Sequence, residues 1–493
     1  MASIKDELFL RKLLLIVPAV HVFVWILLPT LLEGSLRLDA AEGMTDGSEW
    51  QLSYPKHPPF SEWLTAIAWY AGPARYPALY FIAQMLAVGS VVIISRWMLS
   101  RFDAASAFLV LIAGLVSPFA TYIPIQLNHN IGVMPFWALI LVSGWAAFNT
   151  DRIIIWVAFG FSVGFGLWAK YSVLHLVAPL GLVFFIIPDW RRRLMGAGPW
   201  IAALVAILII LPHAIDVWMK GGSTIKYASQ HLHLTPREVF GFSFNMLMNF
   251  AIMLLFASIP FIVASGVRGF FAAAYRALNP ETASSKDLFL AAVTFGPMLL
   301  VAASPVFGIR PRPLWITPVI VPMIAWLGNV YSYVEKPKLH RALWVAAILW
   351  VIFVIDYMST ILVPIQNNKV QYSNIDHKKI SRIARDYWRE NGSGRLFYIV
   401  TTDRQRSIHA AGSIAFDLPQ RVHVFNRADI QFSPWIRPND VTRRGALVVG
   451  SPDIPDDFTV NGAIVTKRVQ IETPTIRGRL RNPIVLGVVE PRS

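Results

Sequence analysis

The chain has 493 residues, of which 55% are hydrophobic, and its mean hydropathy of +0.52 excludes an ordinary soluble protein. Its net charge of +15 does not call for nucleic acid, because basic anchoring loops and contact with anionic lipid explain a charge of this sign. The chain has no cysteine, so disulfides are excluded.

Apolar runs of about 17–25 residues, the length that crosses a bilayer core, recur along the chain. The first run follows Lys5, Arg11 and Lys12 without a small-residue cleavage site, which indicates an uncleaved first span. The sequence therefore predicts a polytopic α-helical membrane protein with about eleven transmembrane helices. The predicted spans are 12–32, 77–95, 104–123, 131–149, 152–169, 172–188, 199–216, 243–266, 287–305, 313–332 and 342–364.

The loops between these spans form two alternating sets. One set is short and basic, with Arg191, Arg192 and Arg193 as its densest part, and such loops are predicted to face the cytoplasm. The other set is predicted to face the periplasm or the exterior. Its members are residues 33–76, 120–131, 170–171, 217–242, 306–312 and everything after 365.

The composition changes after Pro364. Residues 375–391 predict a short amphipathic helix, and five apolar segments between turn residues predict β-strands. Those strands are 396–400, 421–425, 446–449, 463–469 and 484–489. We therefore expect a transmembrane domain over 1–365, whose first loop is 33–76, followed by a small α/β domain over 366–493 on the same outer side as that loop.

The first loop holds the most chemically informative residues of the chain. Asp39 and Glu42 are three apart, so a helix would place both carboxylates on one face, where either can serve as a general base. Helix capping or a solvated turn is the alternative for this pair. Lys56 and His57 precede Pro58-Pro59, which stiffens the backbone and holds a phosphate-binding cation near the interface. Snorkelling of Lys56 to lipid headgroups remains open.

Other outer loops carry further candidates. Lys170 is a candidate phosphate ligand, and Arg310 and Arg312 depart from the positive-inside pattern, although membrane anchoring and headgroup contact also explain such cations. Residues expected to line the substrate cavity are Asn128, Asn130, Tyr171, His213 and Trp315.

A metal site is the less favoured interpretation of a histidine pair in the outer loop 217–242. His231 and His233, with Glu42 or Asp216, can be drawn as ligands, but no third ligand is implied and structural roles are favoured. The sequence requires no cofactor, and a divalent metal remains an open alternative. It contains no phosphate-cradling glycine loop of the nucleotide-binding type.

The first-loop sequence, from Asp39 through Glu42 to Lys56-His57-Pro58-Pro59 and Trp63-Leu64, resembles the GT-C glycosyltransferases of the protein mannosyltransferase and aminoarabinose transferase group. The segment from Gly166 to Tyr171, Pro212-His213 and the α/β tail resemble its bacterial branch. The resemblance implies a polyprenyl-phosphate sugar donor and an inverting transfer at the periplasmic face of the bacterial inner membrane.

The resemblance also implies roles for individual residues. Asp39 corresponds to the family's first-loop aspartate, the expected base, and Lys56 corresponds to a lysine near the donor phosphate. The sequence departs from the family where Ala40 replaces an acidic residue, a role that Glu42 partly fills. It departs again where Asn128 or Asn130 replaces a second acidic residue in the next outer loop.

Among bacterial members, the chain resembles the rhizobial galacturonosyltransferases, which implies transfer of galacturonic acid to lipopolysaccharide core or lipid A. The basic residues Lys226, Arg310 and Arg312 fit an acidic sugar or acceptor. Transfer of aminoarabinose or a neutral hexose to lipid A or protein is the alternative within this class. A lipid or glycan flippase and a non-catalytic envelope assembly factor are the alternatives of other classes, but the nearly charge-free span interiors favour an interfacial enzyme.

Overall fold

The computed structural model describes residues 4–222, 224, 233–334, 338–362, 372–403, 406–476 and 483–492. In this part of the chain each of the eleven predicted spans contains an apolar helix; eight helical stretches are long enough to cross a membrane, and three apolar helices are shorter. The corresponding helices are α1 (Ile4–Leu32), α4 (Arg75–Arg101), α5 (Ala104–Leu115), α7 (Met134–Phe148), α8 (Ile153–Ala169), α9 (Val173–Ile186), α11 (Ala197–Met219), α12 (Pro236–Ser265), α14 (Ser285–Ala303), α15 (Ile320–Tyr331) and α16 (Leu339–Leu362). The polytopic α-helical fold class is confirmed.

Further helices lie between these spans, where sequence periodicity was too short to predict them. They are α2 (Leu38–Gly47), α3 (Phe60–Trp69), α6 (His129–Gly132), α10 (Pro188–Arg193) and α13 (Val267–Leu278). The sequence predicted Asp39 and Glu42 on one face if the first loop begins as a helix, and α2 is that helix.

Two predicted spans are interrupted at proline residues. The span 104–123 is α-helical only to Leu115, because Pro118 and Pro124 follow, and it continues as turns and the 3₁₀ helix Ile123–Gln126. The span 313–332 begins as the 3₁₀ helix Pro313–Val319 and becomes α-helical at Ile320. Both irregular segments lie beside the candidate site, and their backbone is shielded by packing within the protein.

The predicted loop sets meet at opposite ends of the bundle. At the basic end, the Lys286 ammonium lies 4.3 Å from the centroid of Phe102, and the Arg276 guanidinium lies 4.6 Å from that of Tyr333. The outer loops converge at the other end, which we call the first-loop end. There the first loop bonds to Asn128 at the start of α6 and to His213 of α11, and Lys170 of the α8–α9 connection bonds to Asn130 of α6.

The C-terminal part forms a small α/β unit. Its helices are α17 (His377–Asn391), α18 (Arg406–Asp417) and α19 (Pro438–Arg444), and its strands are β1 (Tyr398–Thr401), β2 (His423–Phe425), β3 (Ala446–Gly450), β4 (Thr459–Val460), β5 (Ala463–Ile464), β6 (Thr466–Ile471) and β7 (Ile484–Val489). A five-stranded sheet has the order β2-β1-β3-β7-β6, with β2, β1 and β3 parallel and the last two strands antiparallel. The α/β character is confirmed. The expected strand 463–469 is divided into β5 and β6, and the domain boundary at 365 lies outside the described residues.

The α/β unit packs directly on the first loop. Helix α18 lies against α2 so closely that a Cβ on Gly412 would overlap the carbonyl group of Ala41. The His409 ring hydrogen bonds with the carbonyl oxygen of Leu36 at 2.8 Å, and Tyr76 donates to Asp417 at 2.9 Å. One buried apolar cluster runs through both parts, so the unit braces α2 from the side opposite the bundle.

Candidate active site

Asp39 stands in the first turn of α2, where a carboxylate is stabilised by the positive end of the helix. Its Oδ2 accepts a hydrogen bond of 3.1 Å from the side-chain amide of Asn128. The Asn128 side-chain oxygen in turn caps α6 by accepting from the backbone amides of Asn130 and Ile131. Asp39 is half-buried, so its orientation is fixed while its carboxylate keeps an open side.

Glu42 and Lys56 form the second element of the site. The Lys56 ammonium donates to both oxygens of Glu42, at 2.9 and 2.8 Å, across fourteen residues of the first loop. Each side chain is about one-third exposed, at 31% for Glu42 and 34% for Lys56. The pair therefore closes the loop on itself at a solvent-accessible edge, and the charge of Lys56 is largely balanced by Glu42.

A row of histidine and glutamate side chains lies behind this pair. The rings of His57 and His129 are 4.0 Å apart between centroids, and His129 Nε2 lies 2.7 Å from Glu62 Oε1 without hydrogen-bond geometry. Burial, together with His129 and the nearby cations Lys56, Lys170 and Arg312, holds the pKa of His57 well below its usual range. His57 is therefore neutral at pH 7 and can offer a phosphate a hydrogen bond but no charge.

Lys170 follows α8 and reaches the same site from the bundle. Its ammonium donates to the side-chain oxygen of Asn130 and lies 5.7 Å from the ring centroid of Trp315. Burial lowers its pKa to about 8, against the opposing attraction of Asp39. At pH 7 most Lys170 side chains are thus charged, although the amine is far easier to deprotonate than an exposed lysine.

Tyr171 and His213 form the adjoining wall. His213 on α11 hydrogen bonds through Nε2 with the Tyr171 hydroxyl and through Nδ1 with the carbonyl oxygen of Leu52, both at 2.6 Å. Nearby, Asp216 accepts from Ser53 and from Lys220 at 2.6 and 2.7 Å. These contacts pin the first loop to α11, so the role supported for His213 is positioning the loop.

The two arginines near the start of the 3₁₀ helix Pro313–Val319 differ in their surroundings. Arg310 donates to Glu238 Oε1 at 3.1 Å and lies 5.5 Å from the ring centroid of Phe242. Arg312 is exposed and forms no hydrogen bond or ion pair with the residues that the structure describes, yet it is close enough to lower the pKa of His57. Arg312 is thus the guanidinium that remains available to an anionic ligand.

The site residues predicted from the sequence did not include Glu62, His129 or Asp46. Asp46 is buried on α2, and burial, with added repulsion from Glu42 and Glu62, raises its pKa well above the usual range. His129 lies between the predicted site residues Asn128 and Asn130 on α6, and Glu62 lies five residues after His57 on α3, but nothing in the sequence indicated that α3 and α6 pack together.

The structure also bears on the metal alternative. Within the described ranges, no three histidine, aspartate or glutamate side chains come together as a ligand set. Asp216 is engaged by Ser53 and Lys220, and His233 is exposed. His231 and Lys226 lie outside the described residues.

Comparisons with known proteins find similar sequences and similar folds. Residues 56–216 match the family of dolichyl-phosphate-mannose-protein mannosyltransferases. The lipopolysaccharide core galacturonosyltransferase RgtA of Rhizobium johnstonii is 25% identical over 60% of this chain and 60% of its own length. RgtB of the same organism, with the same described activity, is 26% identical over 64% of this chain and 65% of its own. The matched regions therefore cover somewhat under two-thirds of the length of each relative.

Solved structures extend the likeness to nearly the whole fold. Apo ArnT from Cupriavidus metallidurans aligns with a TM-score of 0.63 at 14% identity, covering 97% of both chains. The same protein bound to undecaprenyl phosphate aligns with a TM-score of 0.62 at 13% identity, again covering 97% of both chains. The chain thus has the fold of ArnT and is similar in sequence to rhizobial galacturonosyltransferases, which confirms the predicted resemblance to the bacterial branch of the GT-C glycosyltransferases.

Proposed function

We propose that this protein is an inverting glycosyltransferase that moves a sugar from a polyprenyl-phosphate donor to lipopolysaccharide. The observation that carries the proposal is the convergence of Asp39, Lys56, Asn128, Lys170 and Arg312 at one end of a membrane-embedded bundle. A carboxylate facing a group of cations beside lipid suits a reaction in which a hydroxyl attacks and a lipid phosphate leaves.

In this mechanism Asp39 is the general base. An acceptor hydroxyl oxygen forms a bond to the anomeric carbon as the bond from that carbon to the phosphate oxygen breaks, and the hydroxyl proton passes to Asp39. The side-chain amide of Asn128 holds the carboxylate in position. Attack from the face opposite the leaving group inverts the anomeric centre.

The leaving polyprenyl phosphate gains one negative charge as the bond breaks, so cations near it stabilise the transition state. Lys170 and Arg312 are best placed for this role, because Glu42 balances Lys56 and Glu238 engages Arg310. His57 adds a neutral hydrogen-bond donor. Glu42 keeps Lys56 in place at the edge of the site. It is the second of the two first-loop carboxylates, after Asp39, that the sequence predicted.

Galacturonic acid is the sugar that we propose, and lipopolysaccharide core is the acceptor. The support comes from two relatives described as lipopolysaccharide core galacturonosyltransferases and from the guanidinium of Arg312, which has no partner among the described residues and suits the carboxylate of a uronic acid. Undecaprenyl phosphate bound to ArnT supports a polyprenyl-phosphate donor. The basic loops support placing the first-loop end and the α/β unit in the periplasm, with the protein in the bacterial inner membrane.

The test compares the purified full-length protein with Asp39→Asn, using polyprenyl-phosphate galacturonate and lipopolysaccharide from cells that lack this chain. We expect Asp39→Asn to lower transfer by about 10²–10⁴-fold, the usual contribution of a general base. Asp189→Asn is the matched control, because it makes the same chemical change on an exposed side chain of α10 at the basic end.

Mass spectrometry of the lipopolysaccharide identifies the sugar that is added. Transfer from a polyprenyl-phosphate aminoarabinose or hexose, but not from polyprenyl-phosphate galacturonate, would keep the mechanism and replace the donor. Wild-type turnover by Asp39→Asn would refute the role of Asp39, and absence of any sugar transfer by the wild type would refute the proposed activity.

A further inference from the structure

The parallel part of the C-terminal sheet has a topological switch point. Helix α18 connects β1 to β2 on one side, and α19 connects β2 to β3 on the other side of β1. In open α/β sheets, ligands bind in the crevice outside the carboxyl ends of the strands where the winding reverses. The winding reverses between β1 and β3, one strand away from the carboxyl end of β2, which leads into the segment 426–437.

A cavity of about 660 Å³ opens between this segment, the start of α19 and the turn of the β4–β5 hairpin. Its wall combines apolar side chains with groups that donate and accept hydrogen bonds, which is the make-up of a small-molecule site. The residues that matter are Ile430, Ile436, Arg437, Asn439, Asp440 and Asn461.

The polar groups of the cavity are positioned by local backbone structure. Asn461 and Gly462 have positive φ values of 48° and 74°, which are typical of the type I′ turn that joins two short strands. The Asn461 side chain donates to that of Asn439 at 2.8 Å, so each amide has a fixed direction. The exposed Arg437 guanidinium forms no hydrogen bond or ion pair with any residue in the described part of the chain.

The segment that leads into the cavity is strained. Arg427 and Ala428, neither of them glycine, have φ values of 58° and 52°, and non-glycine residues in this region cluster at ligand-binding sites. The strain is held by the Arg427 amide, which donates to Thr401 at 2.8 Å, and by the Asn426 amide, which donates to Ser433 at 3.0 Å. The side-chain oxygen of Asn426 is buried and has no partner among the described residues.

The segment 426–437 also contacts the first loop. Trp435, between cavity residues Pro434 and Ile436, packs edge-to-face on Tyr54 at 5.5 Å between ring centroids, and Tyr54 is two residues from Lys56. Asn426 donates to Asp46 Oδ1 at 3.2 Å, on α2, the helix that carries Asp39 in its first turn. The segment that lines one side of the cavity is thus packed against the first loop, which carries Asp39 and Lys56.

We propose that this cavity is a saccharide subsite that holds a sugar unit of the acceptor while another unit of the same acceptor reaches Asp39. Planar amides and a carboxylate suit sugar hydroxyls, the isoleucines suit the apolar face of a sugar ring, and Arg437 suits an acidic or phosphorylated unit. The identity of the acceptor rests on the proposed function, but binding of a saccharide to this cavity can be measured without turnover.

The experiment measures the Kd of deacylated, sugar-only lipopolysaccharide core oligosaccharide for the full-length protein in detergent. We expect the double variant Arg437→Ala/Asn439→Ala to weaken binding at least about ten-fold, since a charge-assisted contact and an amide contact are lost together. Arg395→Ala is the matched control, because Arg395 is an exposed arginine before β1 that does not line the cavity.

Equal affinity of the wild type, the double variant and the control would overturn the proposal, as would failure of the wild type to bind the oligosaccharide. The KM for acceptor in the transfer assay gives a second readout, and we expect it to rise in the double variant while kcat changes little. Binding that depends on Arg437 and Asn439 in a protein that transfers no sugar would refute the proposed function but not this site. Transfer with an unchanged acceptor KM would refute the site but not the function.

Discussion

The charge of Lys170 gives the sharpest test of the proposed chemistry. Burial lowers its pKa to about 8, so its positive charge is present below that pH and is lost as the pH rises through it. About ten in eleven Lys170 side chains are charged at pH 7, but only about one in eleven at pH 9. If that charge stabilises the leaving phosphate, kcat/KM for the donor falls about ten-fold for each pH unit above 8.

The assay is transfer by the purified protein between pH 6.5 and 9.5 at constant ionic strength. Lys170→Arg keeps the cation at every pH in this range, so the alkaline fall is expected to disappear, whereas Lys170→Met is expected to be slow throughout. Lys379→Arg, an exposed position on α17, serves as the control that should retain the wild-type profile. A wild-type profile that stays flat to pH 9.5, or an alkaline fall that persists in correctly folded Lys170→Arg, would refute this reasoning.

Two further predictions concern the arginines and the packing of α18. Arg312→Ala is expected to lower kcat/KM for the donor by about ten- to a hundred-fold, because the variant loses the cation that is available to the phosphate. Arg310→Ala should change kcat/KM by less than about three-fold, because Arg310 is already paired with Glu238 at the exposed surface. Equal losses in the two variants, measured in parallel kinetic assays, would contradict this distinction. Gly412→Ala is expected to destabilise the protein by about 1–3 kcal/mol through overlap with the carbonyl of Ala41, seen as a lower midpoint of thermal unfolding in detergent. Gly181→Ala adds the same methyl group in a helix where nothing lies within 4 Å, so its midpoint should stay or rise.

The sequence predicted every apolar helix among the described spans because bilayer length and hydrophobicity are local properties of the chain. It also placed Asp39, Asn128 and Lys170 in loops of one set, and the structure brings these residues together. Alternation of loops predicts which residues share an end of a bundle, since each span reverses the direction of the chain.

Pairwise contacts within that end were beyond the reach of such reasoning. The ion pair of Arg310 with Glu238 and the edge-to-face contact of Tyr54 with Trp435 join segments 72 and 381 residues apart. The hydrophobic periodicity and the composition of the sequence contain no information about such pairings. The segment 463–469 is divided because Ala463–Ile464 pairs with β4 whereas β6 pairs with β7, and a change of strand partner has no local sequence signal.

Because Gly412 of α18 packs closely on α2, the candidate site is complete only after the C-terminal part of the chain has been synthesised. Helix α2 is among the first segments to leave the ribosome, while the helix that braces it is made more than three hundred residues later. Contacts of such separation form late, because the intervening chain must be ordered before they can close. A nascent or truncated chain can thus hold a complete bundle and still lack a braced first-loop helix, so the position of Asp39 is secured only when the protein is whole.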